Sequence, residues 1–346
     1  SHMPAGMFLR SACDWHLDPA GIHTIEAFAA NRGQTPADVE PLSLDFYLDY
    51  TRWFREQKGL KIEPVFVERL DRAGDGFRAQ MENGETIAAA NVVLALGFAN
   101  FAHIPAGLAS LLPAGRYAHS KDLVDFVPLA GQRLLIVGGR QSAFESAALL
   151  QEAGAAHVHL CYRHPTPRFE PSDWGRANRI VAGLVDNPTW FRDLSDEEKA
   201  DINHWFWTEG RLKLEPWLWP RLDHSEISLW PESQLAGCVA CADDSLAITL
   251  DSGAGFAVDQ VLFATGYQVE MERVPLLAAG NLLAELATVN GSSCLDEYMQ
   301  TNIPGLFVTS IPAVQDFGLF FGFTISARLS AQLMGRGIQQ RRLKKA

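Results

Sequence analysis

The stretch from Arg133 to Tyr162 constrains this chain more than any other. Arg133 to Val137 is a run of apolar residues long enough for one buried strand. Gly138-Gly139-Arg140-Gln141-Ser142-Ala143 follows as a glycine turn. Phe144 to Ala153 has a helical pattern closed by Gly154, and His157 to Tyr162 reads as a second buried strand. Strand, glycine turn, helix and strand in about 30 residues specify a right-handed crossover in a parallel sheet. The fold class expected is therefore α/β.

Other elements are legible around it. Ser43 caps a helix in which Leu44, Tyr47, Tyr50 and Phe54 recur at helical spacing, with Gly59 as the stop. Lys61 to Val67 reads as a strand, and Phe77–Glu82 with Glu85–Ala90 as a hairpin turning at Asn83-Gly84. Asn91 to Gly97 is a buried strand ending in glycine. A second hairpin turns near Gly253, and the strand Gln260 to Gly266 echoes Asn91 to Gly97. The spacing from turn glycine to final glycine is the same in both cases (Gly84 to Gly97, Gly253 to Gly266). This is an internal repeat of two related domains. A last strand near Ile303–Val308 and a closing helix from about Thr324 to Met334 complete the pattern. Seven of the nine tryptophans fall within 165–230, where Ser195 and Glu198 form a capping box.

Composition narrows the partners. A net charge of −12 opposes nucleic acid or an anionic membrane as main partner and fits a small-molecule substrate. No apolar run approaches the roughly 18 residues of a membrane helix. Five cysteines, without a signal-peptide pattern, suit a cytoplasmic setting. Cys238 and Cys241 form a CxxC whose alternatives are a redox pair and two small residues beside a strand. No metal-ligand spacing is present.

The glycine turn is a candidate dinucleotide site. A helix N-terminus after a parallel strand offers free N–H groups and positive dipole to a pyrophosphate. Gly138 makes the tight turn, Gly139, Gln141 and Ser142 lie beside it, and Ala143 takes the close-packing position. Arg140 stands where a second glycine is usual, so it either clasps phosphate or impairs the site. Arg163 and His164 end the second strand without an acidic neighbour, which favours NADPH over NADH.

Three further motifs carry a family resemblance. Asp259 to Tyr267 resembles the Asp-x3-Leu/Phe-Ala-Thr-Gly-Tyr signature of N-hydroxylating flavin monooxygenases. Gly115 to His119 resembles part of the linker signature of class B flavin monooxygenases, with Pro113 in place of its leading Phe. Ala95-Leu96-Gly97 is similar to the first Ala-Thr-Gly strand of the same superfamily of FAD- and NADPH-dependent flavoproteins.

The resemblance implies two Rossmann-like, three-layer dinucleotide-binding domains. The expected division is 1–112 as the first part of the FAD-type domain, 113–272 as the NADP-binding domain with insertion 165–230, and 273–346 as the return segment. It also implies oxygenation of a small nucleophilic nitrogen, sulfur or carbonyl substrate through a flavin C4a-hydroperoxide. Met7 and Arg10 lie in the segment that would pass the flavin ring, Val67 near the adenine, and Leu96 and Gly97 by the pyrophosphate. Gln315, Asp316, Phe317 and Gly318 precede the closing helix that would face the flavin. The scheme needs few indispensable acids or bases, and no catalytic residue is assigned. Family members begin with a strand and Gly-x-Gly-x-x-Gly turn that would lie upstream of Pro4. The FAD-type domain is therefore expected to be incomplete, to bind FAD weakly alone and to self-associate as a homo-oligomer through its bare strand edges. The alternatives are a flavin-dependent NADPH reductase and an FAD-free binding protein of the same fold.

Overall fold

The computed structural model describes residues 3–172 and 174–345. The chain folds as two units. One gathers the described residues of 1–10, 102–173 and 204–267; the other those of 11–101, 174–203 and 268–346. These boundaries differ from the expected ones: 102–112 lies in the first unit and 268–272 in the second. The first ten residues go with the nucleotide-type unit rather than the FAD-type unit. The tryptophan-rich insertion is also shared out: 174–203 joins the second unit, while the stretches on either side stay in the first.

The first unit is built on a five-stranded sheet. Its order is Ile227–Trp230, His157–Cys161, Arg133–Val137, Gln260–Phe263, Tyr117–His119, with every neighbouring pair parallel. Leu134, Leu135 and Ile136 are fully or almost fully buried, as covered parallel strands require. The helix Gln141–Glu152 returns the chain from the first strand to the second and buries Ala143, Phe144, Ala147, Ala148 and Leu150. It begins three residues before the apolar run at Phe144, because the glycine turn supplies its first turn. Leu235–Ala240, Leu246–Leu250 and Gly255–Val258 make a separate antiparallel sheet.

The motif residues of the resemblance tie this sheet together. Asp259 receives the Arg133 backbone N–H at 2.7 Å and the Arg133 guanidinium at 2.7 Å. Arg116 donates to the Asp259 carbonyl at 2.8 Å. His119 Nε2 meets the Gly266 carbonyl at 2.9 Å, and its ring lies edge-on to Tyr267. Their spacing in sequence thus serves strand registration.

The second unit repeats the plan on a smaller scale. Val67–Ala73, Gly76–Met81 and Thr86–Ala89 form its antiparallel sheet, and Val92–Leu94 pairs in parallel with Leu306–Val308. The capped helix Leu44–Gln57 starts at Ser43, whose Oγ accepts from the Phe46 N–H at 3.2 Å. The closing helix runs Ser326–Lys345, longer than expected, because its polar second half has no stop signal. One expectation fails. Residues 61–66 form no strand; pairing starts at Val67. An apolar run becomes a strand only with a ladder partner, and Ile62 and Phe66 instead stand 63% and 77% exposed. Among the described residues, no helix is long and apolar enough to cross a membrane.

Among the described residues of the first unit, Glu145 is the one buried carboxylate, 3% exposed on the glycine-turn helix. It accepts the Phe8 N–H at 2.8 Å and so fastens the N-terminal segment. Burial pushes its carboxyl from 4.5 up to about 7. The folded state keeps a proton that the unfolded chain releases above its ordinary value. The stability from this group is full below about 4.5 and is lost as pH rises through about 7, on the order of 3 kcal/mol. Glu145→Gln keeps the acceptor for Phe8 and removes the titration. Calorimetric melting of the variant is expected to show a flatter decline in Tm between about pH 5 and 8. A slope equal to that of the parent would overturn this assignment.

Candidate nucleotide site

The glycine turn leaves the sheet at the carboxyl end of its central strands, where ligands of open α/β sheets bind. The Gly138 N–H donates to the Cys161 carbonyl at 3.0 Å, and Val137 accepts from Ala264 at 2.9 Å. Gly138 adopts φ +153°, and a Cβ there would stand 2.5 Å from the Ala264 carbonyl oxygen. Only glycine fits. A Cβ on Gly139 would collide with the His164 imidazole and with Tyr162. Arg140 is the N-cap of the helix, its φ of −121° extended, and Ala143 and Phe144 donate to its carbonyl. The first N–H groups of the helix, at Gln141 and Ser142, have no acceptor within the helix. Ser142 is exposed there, and Ala143 is fully buried.

Cationic groups gather around this turn. The Arg140 guanidinium lies 3.7 Å from the ring centre of Trp207, and its Nη1 is buried without a hydrogen-bond partner. Burial, with Arg163 nearby, pulls it down to about 10. Arg163 is exposed at the end of its strand. The His164 Nδ1 faces the Pro165 carbonyl at 2.7 Å, while Nε2, beside Gly139, has no partner. Buried donors without acceptors are costly unless a ligand satisfies them. The turn, the free helix N–H groups and the orphaned Arg140 donor fit a pyrophosphate.

Other expected site residues have different duties. Arg10 binds Glu215 at 2.9 Å, Ser172 at 2.7 Å, and the carbonyls of Gly210 and Lys213 at 3.0 and 2.9 Å. It braces the insertion instead of reaching for a flavin, because its donors are spent there. Met7 packs on the core around the glycine-turn helix.

In the second unit, Leu96 and Gly97 follow the parallel strand Val92–Leu94. Thr309, leading into Gln315–Gly318, donates to the Leu94 carbonyl at 3.1 Å, so both segments leave the same sheet end. Gly97 has φ +59°, and a Cβ there would meet nothing within 4 Å, which leaves backbone open to a ligand. Asp316, however, accepts from Leu295 N–H at 2.9 Å and pairs with Arg192 at 3.3 Å. Phe317 is fully buried, and Gly318 at φ +93° accommodates the Phe191 ring. Asp316 and Phe317 are therefore structural. Val67 sits apart, paired with Met81 in the antiparallel sheet.

The tryptophans mostly pack. Trp15 meets Trp174 at 5.5 Å, Phe8 meets Trp217 at 5.0 Å, and Phe169 meets Trp219 at 5.0 Å. Trp207 is the exception that sequence reading missed, since nothing in the spacing of 207 and 140 announces their contact. Cys238 lies within the strand Leu235–Ala240 and Cys241 immediately after it. Both are free thiols.

A family model described as pyridine nucleotide-disulphide oxidoreductase matches residues 12–177. The chain is 17% identical to a solved ornithine N-hydroxylase of Kutzneria sp. 744, with a TM-score of 0.76 over 99% of this chain and 89% of that one. It is 19% identical to L-lysine 6-monooxygenase from Pseudomonas syringae, with a TM-score of 0.71 over 98% and 87%. The fold is that of the N-hydroxylating flavin monooxygenases. In sequence, 132 residues are 32% identical to an FAD-dependent urate hydroxylase of Xanthomonas campestris pv. campestris, covering 36% of this chain. That match spans 28% of the length of the curated relative.

Arg163 is expected to read the nucleotide's 2′-phosphate. Arg163→Ala should weaken NADPH about ten- to a hundredfold, the worth of a charged hydrogen bond, and leave NADH nearly unchanged. Calorimetric titration of both nucleotides checks this, and equal losses would remove Arg163 from the role.

Proposed function

We propose that this chain is the scaffold of an FAD- and NADPH-dependent monooxygenase acting on a small nucleophilic nitrogen, sulfur or carbonyl substrate. The observation that carries the reading is the glycine turn at Gly138–Gly139. It opens a 12-residue helix and is flanked by the Arg140 Nη1, a buried donor with no partner among the described residues.

Each residue has a physical task in this reading. The Gly138–Gly139 backbone permits close approach of the dinucleotide, and the N–H groups of Gln141 and Ser142 with the helix dipole meet its pyrophosphate. Arg163 takes the 2′-phosphate. Leu96, Gly97 and the N-terminal end of the closing helix would hold the flavin nucleotide. FAD supplies the activation of oxygen when bound. Phe317, Phe320 and Phe321, each about 1% exposed or less, keep the reacting side dry. Orientation and exclusion of water carry the reaction, so the chain needs no dedicated acid or base.

The relatives point to a first set of substrates: primary amines such as ornithine and lysine, and the nitrogen heterocycle urate. The test has two stages. NADPH should bind the full chain, measured by calorimetry without FAD. With FAD added, one of these substrates should accelerate NADPH oxidation with matching oxygen uptake. A chain that binds no NADPH would overturn the reading. Binding with substrate-independent oxidation would leave a reductase.

A further inference from the structure

The second unit holds a groove that the proposed function does not use. Its walls are the loop around His16 to Gly21, the helix Gly175–Gly183 with the turn after it, and the closing helix Ser326–Lys345. The Gln332 amide donates to the Pro19 carbonyl at 3.1 Å and ties the loop to the closing helix. The groove has a volume of about 470 Å³, within the range of small-molecule sites. Val181, Val185 and Leu329 give it an apolar wall, and Arg328 and His16 give it a polar one.

Arg328 is anchored through one nitrogen. Its Nη1 donates to the Asp14 carbonyl at 3.0 Å and to His16 Nε2 at 3.0 Å. Among the described residues its Nε and Nη2 have no partner, and no carboxylate forms an ion pair with it. The carboxylates around it are committed or stand at the rim. Asp14 takes the Asn178 amide at 2.6 Å. Asp18, fully buried, takes Lys58 at 2.8 Å and the N–H groups of Ala20, Ile22 and His23. Asp186 is exposed at the edge of the groove.

The guanidinium also fixes its neighbour. It can only donate, so His16 Nε2 is an acceptor and the neutral ring carries its proton on Nδ1. Burial, with the Arg328 charge beside it, lowers the His16 pKa and keeps the ring neutral. The Nδ1 is buried without a partner among the described residues. The groove thus presents a guanidinium edge and an imidazole N–H, both lacking acceptors. A buried donor left in this state is costly unless a ligand satisfies it. The Nε–Nη2 edge of an arginine matches the two oxygens of a carboxylate. One guanidinium with Asp186 at the rim suits a single negative charge and opposes a second.

We propose that this groove binds a small aliphatic monocarboxylate. Its carboxylate lies on the Nε–Nη2 edge of Arg328 and accepts from His16 Nδ1, and its hydrocarbon lies along Val181, Val185 and Leu329. The inference does not rest on the nucleotide reading.

The test is calorimetric titration of isocaproate into the full chain, where it should saturate one site. Isohexanol, which lacks the charge, isoamylamine, which reverses it, and adipate, which doubles it, should each bind roughly tenfold or more weakly. Arg328→Met should weaken isocaproate about ten- to a hundredfold. Arg328→Lys should recover part of that loss, because the charge returns without the planar fork. Ala182 lies exposed on the groove wall. Ala182→Phe should fill the groove and remove binding without touching the core. Asp186→Asn should narrow the gap between adipate and isocaproate. Should Arg328→Met fail to fold, Arg328→Lys and Ala182→Phe decide the question. The inference falls if isocaproate gives no saturable heat, if the alcohol, the amine or adipate binds as well, or if Arg328→Met or Ala182→Phe binds isocaproate like the parent.

Discussion

Where the chain leaves its central strand, the Gly138 backbone passes so close to the Ala264 carbonyl that no side chain could stand between them. This contact sets the height of the helix Gln141–Glu152 over the sheet. Ala143 and Phe144 can then be fully buried beneath it, and the first N–H groups point out at the carboxyl end of the strands. The position of Arg140, as N-cap, follows from it, as does the position of everything that Arg140 touches. A larger residue at 138 would move the helix, and with it the geometry of the proposed nucleotide site.

The family motifs act through the backbone. Asp259 clamps Arg133, and Arg116 clamps the Asp259 carbonyl, so neighbouring strands share one register. His119 does the same at the opposite end through Gly266. Signatures that look like chemistry in the sequence are in this structure the fastenings of a parallel sheet. Arg10 is similar: a lone arginine in an N-terminal segment becomes a four-way brace for the insertion. In the proposed function the chemistry falls instead to backbone, helix dipole and a few guanidiniums, as expected where a cofactor performs the difficult step.

Local physics made much of the plan readable. Apolar runs, glycine turns and capping residues fix elements through contacts between near neighbours, so the crossover at 133–162, the Ser43 helix, the Ser195 capping box and the repeated hairpins all formed as expected. The repeat was legible for the same reason: in both units an antiparallel sheet leads straight into a parallel strand. Positions 138 to 143 were recognisable because close backbone approach restricts residue type.

What the sequence by itself determined is therefore the kind of fold, the place of the glycine turn and the absence of an acidic residue beside Arg163. Tertiary structure decided the rest. Residues 61–66 have strand composition, but strand formation depends on a ladder partner, which composition does not encode. Arg10 and Asp316 have the charge of binding residues, but long-range partners took their hydrogen bonds. Nothing in the spacing of Arg140, Trp207 and Arg211 announces that both guanidiniums meet the Trp207 ring. The physical reason is common to all three cases. A side chain's role is set by which groups compete for it, and those competitors lie far along the chain and meet only when it folds.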